Sequence, residues 1–139
     1  MNDMKKITKV CMAALLLTIF SGCYDRDIVD QKDFNFALPT VENLSYTTAD
    51  GEVTLTWQIP NSISADFNRP LEVVVQLVVN NIYGERRVLQ GEATDTRFAI
   101  QPGDDYRFIV RLQGYLSAEA RQEGYTDRVL SDGVIIRVD

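Results

Sequence analysis

Three pairs of carboxylates stand close together in the sequence: Asp104 with Asp105, Glu119 with Glu123, and Asp127 with Asp132. Two carboxyl groups held roughly 5 to 10 Å apart are the machinery of glycoside hydrolysis, one acting as acid and the other as base or nucleophile. That chemistry needs one carboxyl kept protonated by an apolar pocket, and no such pocket is legible around these pairs. Asp104 and Asp105 sit in a turn ahead of Tyr106, where polar residues belong, and Glu119 and Glu123 are like charges one helical turn apart. The spacing of an EF-hand loop is absent, which leaves at most a loose calcium site near Asp127 and Asp132. The 139 residues contain no histidine, so Ser-His and Cys-His nucleophile pairs and the commonest transition-metal ligand are excluded. No Gly-rich phosphate loop and no Cys-x-x-Cys occurs. The expectation is a protein that is not an enzyme and carries no metal or cofactor.

Binding is the better expectation, and its candidate residues are Tyr115, Arg121, Tyr125 and Arg128. Aromatic rings beside guanidinium groups suit sugar faces and protein hot spots alike. All four lie in the stretch from Gln113 to Asp132. A purely packing role competes with a site here: Tyr115 and Leu116 would fold this stretch onto the surplus apolar face of the run ending at Val79, where Val74 and Val78 point away from Val73, Val75, Leu77 and Val79.

The elements that must position these residues read as strands. Seven short runs rich in Val, Ile, Thr and aromatics are separated by turn residues: Val41 to Thr47, Glu52 to Gln58, Leu71 to Asn80, Glu85 to Gln90, Thr96 to Ile100, Asp105 to Leu112 and Gly133 to Val138. In the second, Val53, Leu55 and Trp57 alternate with Thr54, Thr56 and Gln58, the pattern of a strand buried on one face. Asp50-Gly51 predicts a tight hairpin, and Pro60 and Pro70 bracket a loop from Asn61 to Arg69. Ser117 as a cap, Glu119 in the first turn and Gly124 as terminator predict one short helix between the last two strands. The fold class expected is an all-β sandwich of seven strands with that short helical insertion.

The amino end is an address. Lys5, Lys6 and Lys9 precede the apolar run Val10 to Phe20, which is too short to span a membrane and has the size of a signal-peptide core. Phe20-Ser21-Gly22-Cys23 resembles the lipobox of bacterial lipoproteins, which implies cleavage after Gly22 and a lipid on Cys23. Residues 1–22 are then a signal peptide, and 23–38 a lipidated cysteine and flexible tether. Loss of residues 1–22 removes three lysines and Asp3, leaving 11 basic and 19 acidic residues and a net charge of −8. That sign argues against a nucleic-acid partner. Cys11 leaves with the signal, so the exported domain has no disulfide. Two or more acyl chains give lasting attachment, so the membrane is the first partner. Asp25, Asp27 and Asp30 look like the acidic export tags of surface lipoproteins in glycan-utilising Gram-negative anaerobes. The outer membrane is the expected location, on either its surface or its periplasmic side.

Residues 39–139 resemble a fibronectin type III domain, an immunoglobulin-like Greek-key sandwich. Pro39-x-Val41-x-Asn43-Leu44 is similar to the family's first strand, and Val53-x-Leu55-x-Trp57-x-x-Pro60 to its second. Ile100-x-Pro102-Gly103-x-x-Tyr106-x-Phe108-x-Val110 is similar to its turn and sixth strand. The resemblance implies that Trp57 fills the space between sheets and that Tyr106 forms a tyrosine corner, its hydroxyl returning to backbone upstream. No Arg-Gly-Asp triplet occurs, so integrin adhesion is not implied. Domain and tether together resemble small lipoproteins of glycan-utilising anaerobes. The expected function is a non-enzymatic, lipid-anchored accessory module that mediates protein–protein interaction or assembly in a cell-envelope complex. A glycan-binding surface lipoprotein is the alternative, and a hydrolase the remote one.

Overall fold

The computed structural model describes residues 36–121 and 126–139. The signal peptide, Cys23, the tether up to residue 35 and the candidate Tyr125 lie outside the described residues. The strands are β1 (Glu42–Ala49), β2 (Glu52–Gln58), β3 (Glu72–Val79), β4 (Ile82–Leu89), β5 (Asp95–Ala99), β6 (Tyr106–Tyr115), β7 (Arg128–Leu130) and β8 (Val134–Val138). Every pairing is antiparallel. One sheet has the order β1-β2-β5, and the other runs β4-β3-β6 with both β7 and β8 on the far side of β6. Among the described residues no helix is long and apolar enough to cross a membrane.

Two hairpin turns set the registers. Asp50 and Gly51 both adopt positive φ, 52° and 76°, as do Asn80 and Asn81 at 51° and 66°. A turn with both central residues left-handed matches the twist of the strands it joins, and Asn and Asp reach that region more easily than other side chains. The second turn starts β4 at Ile82, three residues before the run expected from Glu85.

The inward faces of the two sheets form one core. Val53, Leu55 and Trp57 of β2 and Phe98 of β5 meet Val73 and Val75 of β3 and Phe108, Val110 and Leu112 of β6. The Phe98 and Phe108 rings pack tilted at 47° with centroids 4.9 Å apart, a favoured aromatic geometry. Trp57 is buried and its indole N–H donates to the Ala93 carbonyl at 2.8 Å, so the ring enters the core without stranding its polar atom. Leu38 is buried and Phe36 packs against the core, so packed chain begins upstream of Pro39. At Gly114 a Cβ would stand 3.0 Å from Leu71 and Phe67 and 3.2 Å from Leu38; the three side chains converge where the glycine leaves room.

The far side of the five-stranded sheet corrects two expectations. Eight strands replace seven, because β6 is ten residues long and has two successive partners: Tyr106 to Val110 pair with β8, and Gln113 to Tyr115 with β7. Between them Ser131 takes over the ladder. Its N–H donates to the Leu112 carbonyl at 2.9 Å, and its Oγ accepts the Leu112 N–H at 2.9 Å. Where the helix is expected, the described residues form a single turn, with the N–H groups of Ala120 and Arg121 both 3.1 Å from the Ser117 carbonyl, and residues 122–124 of its expected span lie outside the described residues. The chain entering the turn is held in extended form: Ser117 N–H donates to Asp66 O at 2.7 Å and Leu116 N–H to Asp127 O at 2.8 Å.

Leu116 corrects a third. It bridges Phe67 of the loop before β3, and both are buried in the core. Leu116 therefore closes one end of the sandwich and does not lie over the outer face of β3.

Candidate functional site

The outer face of the five-stranded sheet is where strand alternation and register gather side chains that can bind. Across it run three rows of register partners: Val88, Val74 and Arg111; Arg86, Gln76, Ile109 and Ile135; and Tyr83, Val78, Arg107 and Arg137. The outer face of the other sheet carries Ser45, Thr47, Thr54 and Thr56 in the corresponding positions, with the Ser45 and Thr56 hydroxyls 2.9 Å apart. Small hydroxyl side chains there suit water, whereas Tyr83 at 72% and Ile135 at 64% exposure are large apolar groups held in solvent on the five-stranded face.

A β-bulge puts Tyr83 on this face. Gln76 pairs with Arg86 and Val78 with Tyr83, so one residue of β3 is opposed by two of β4, Gly84 and Glu85. Strict alternation would send Tyr83 and Arg86 to opposite sides; the extra residue re-aims Tyr83 to join Arg86. Gln76 holds the irregularity in place, its amide nitrogen donating to the carbonyls of Leu77 at 2.9 Å, Gly84 at 3.0 Å and Glu85 at 3.2 Å.

Two shallow depressions flank the line between Tyr83 and Ile109. The first, of roughly 170 Å³, is lined by Val74, Gln76, Tyr83, Arg86, Ile109, Arg111 and Leu130. The second, of roughly 260 Å³, involves Val78, Asn81, Tyr83, Arg107, Ile109 and Ile135. Val74 and Val78 are 4% and 8% exposed on this outer face, where the stems of the neighbouring arginines and the Tyr83 and Ile109 side chains surround them. Asp105, at the edge, ion-pairs Arg107 at 3.1 Å and Arg137 at 3.0 Å. Among the described residues no carboxylate pairs with Arg86 or Arg111. The face offers guanidinium donors and apolar contact, an arrangement for holding a ligand.

Three of the four residues expected to bind are described. Tyr115 and Arg128 are register partners across β6 and β7 and extend the same outer face at its rim. Tyr115 is 38% exposed, and its hydroxyl lies 3.3 Å from the Gln113 amide nitrogen. Arg121 is turned to the insertion, pairing with Asp127 at 3.0 Å and reaching the Leu116 carbonyl at 3.4 Å; it braces the turn. Tyr125 lies outside the described residues. Tyr106 is buried, with its hydroxyl accepting the Gln101 N–H at 2.7 Å.

Three of the paired carboxylates have partners of their own, and Glu123 lies outside the described residues. Asp104 accepts from the Asn80 amide at 2.8 Å, Asp105 holds two arginines and Asp127 holds Arg121. Among the described residues no three carboxylates or cysteines gather as a metal site would require.

A family model described as Domain of unknown function (DUF4945) matches residues 23–138. No curated protein matches the chain.

Proposed function

The chain belongs to the family described as Domain of unknown function (DUF4945), and from that premise we propose that it is a non-enzymatic, lipid-anchored accessory module. It holds a protein partner in a cell-envelope complex at the outer membrane. The observation that carries this reading is the outer face of the five-stranded sheet. Tyr83 and Ile135 stand exposed there between arginines, and tyrosine and arginine beside apolar contact are the composition of interface hot spots.

The anchor is the lipid on Cys23, the residue at which the family match also starts. Residues 24–35 would then separate the sandwich from the bilayer by roughly 40 Å when stretched. Counting β7 and β8 as one interrupted strand supports a fibronectin type III-like Greek key. Strands one, two and five then face strands three, four, six and seven, and the Tyr106 hydroxyl bond to Gln101 backbone has the form of a tyrosine corner.

The test is capture from detergent-solubilised membranes by the full-length lipidated protein, compared with Y83S/I135S, which alters exposed positions only. The expected result is a stoichiometric protein recovered without added sugar and lost with the double variant at unchanged melting temperature. Equal recovery by the variant overturns the assignment of the face, and recovery that needs added glycan replaces the protein-partner reading with the glycan-binding one. Cys23→Ala should abolish palmitate labelling and release the protein from the membrane fraction; retained labelling overturns the anchor.

A further inference from the structure

We propose that the partner meets this face with an acidic polypeptide segment whose carboxylates are taken by Arg86 and Arg111, and whose apolar side chains lie against Tyr83 and Ile109. The inference rests on the reading of the face as a partner-binding surface and specifies the chemistry of what binds.

Charge segregation is the first observation. From residue 36 onward the chain has nine arginines and no lysine, and five of the nine, Arg86, Arg107, Arg111, Arg128 and Arg137, stand in the register positions of this one face. Against these five the same side carries Glu72 and Asp105, so a mature chain of net charge −8 presents a local positive excess here, and fields of this kind select and steer oppositely charged partners. Arg107 and Arg137 share Asp105, so the arginines with charge left to offer are those of the first depression. Arg86 and Arg111 sit on either side of β3, one register step apart, with Cα atoms about 12 Å from each other by strand spacing. Side chains of arginine length converge from there over Val74 and Gln76.

Hydrogen-bond inventory is the second. A guanidinium has donors and no acceptor, and an ionised carboxylate has acceptors and no donor; the two match, often bidentately. Sugar hydroxyls need acceptors as well; the first depression contains no carboxylate, and its side-chain acceptors are the Gln76 amide oxygen and the Tyr83 hydroxyl, outnumbered by the donors of two guanidinium groups. Its remaining lining, Val74, Ile109 and Leu130, is aliphatic and suits peptide side chains. The partner lies on the face: at the β4 edge of the sheet, the bulge with the charged run Glu85-Arg86-Arg87 is the pattern that discourages strand addition.

The probe is the fluorescein-labelled random copolymer of glutamate and tyrosine, titrated by anisotropy with the full mature chain in detergent. Binding should weaken as salt rises, exceed that of polyglutamate, and fall about tenfold or more in R86E/R111E with melting unchanged. Equal affinity of R86E/R111E, or tighter binding of polygalacturonate than of the copolymer, overturns the proposal. So does the absence of binding both by the native chain and by a variant with Asp25, Asp27, Asp30 and Asp33 changed to Asn, which lowers the repulsion between the chain and an acidic probe. The two readings fail separately: a membrane partner still captured by R86E/R111E and lost from Y83S/I135S refutes the acidic segment and leaves the face as an interface, whereas one captured equally by Y83S/I135S refutes the face itself.

Discussion

The Arg87 guanidinium lies over the Phe98 ring, its central carbon 3.8 Å from the ring centroid, and so joins the edge of one sheet to the edge of the other. From β4 it also donates to the Arg97 carbonyl at 2.6 Å and the Thr96 hydroxyl at 3.1 Å on β5, while Glu85 orients it from its own strand at 2.8 Å. A planar fork that stacks and donates at once is work lysine cannot reproduce. Arg87→Ala should cost about 1.5 kcal/mol in urea unfolding, and Arg87→Lys should recover less than half of it. Arg86→Ala, one residue away on the outer face, should stay within about 0.5 kcal/mol. Equal effects at the two positions would show that the clasp contributes nothing.

Tyr106→Phe keeps the buried ring and removes the acceptor of the Gln101 N–H. The expected cost is about 1 kcal/mol, the usual net value of one such bond. Loss of amide-exchange protection at Gln101 checks that the bond itself was removed. An unchanged midpoint would mean water replaces the hydroxyl without penalty.

How far residues announce their places is clearest in Arg86 and Arg87. Read as a pair they are an isolated patch of charge; strand alternation separates them, one to the clasp and one to the candidate site. Alternation also made β2 legible, since Val53, Leu55 and Trp57 are buried where Thr54, Thr56 and Gln58 are not. It failed at Tyr83, because the Gly84–Glu85 bulge shifts the period by one and nothing in composition marks the shift. It could have found the arginine row, since Arg107, Ile109 and Arg111 alternate with buried Phe108 and Val110. The helix expected after Ser117 followed local propensity, and the described residues show only one turn there, bonded to the Ser117 carbonyl. Ser131 could not be read as a ladder substitute, because its role depends on Leu112, nineteen residues earlier.

Gly133 is where the outer face meets the break between β7 and β8. A Cβ there would stand 2.5 Å from Ile109 Cγ2 and 2.9 Å from Arg111 Nε. Ile109 is β-branched and cannot turn away without cost. Gly133→Ala should therefore destabilise by about 1 to 3 kcal/mol, the range for overpacking. It should also weaken copolymer binding, because Ile109 and Arg111 line the first depression. A stable variant with native binding would show that the start of β8 shifts freely.

Glu92 gives the domain an acid-sensitive brace away from the candidate site. Its carboxylate is forked by Arg69, with one contact at 2.7 Å, and accepts the Leu71 N–H at 3.0 Å, while its own N–H donates to the Leu71 carbonyl at 2.9 Å. The Arg69 hydrogen bond holds the Glu92 carboxyl below its ordinary range, against the opposing push of burial, with the Leu71 bond and the Arg69 charge adding to the lowering. The folded state therefore prefers the ionised form more than the unfolded chain does. The stability this supplies is complete above the unfolded value of about 4.3 and is lost as pH falls through the lower folded value. Arg69 is half exposed, and solvent screening limits the contribution to about 1 kcal/mol. The native chain should exceed Glu92→Gln in stability by a constant margin between about pH 6 and 8, and the two should converge near pH 3. A margin that persists at low pH would assign the stabilisation to packing around Leu71 and not to the ion pair.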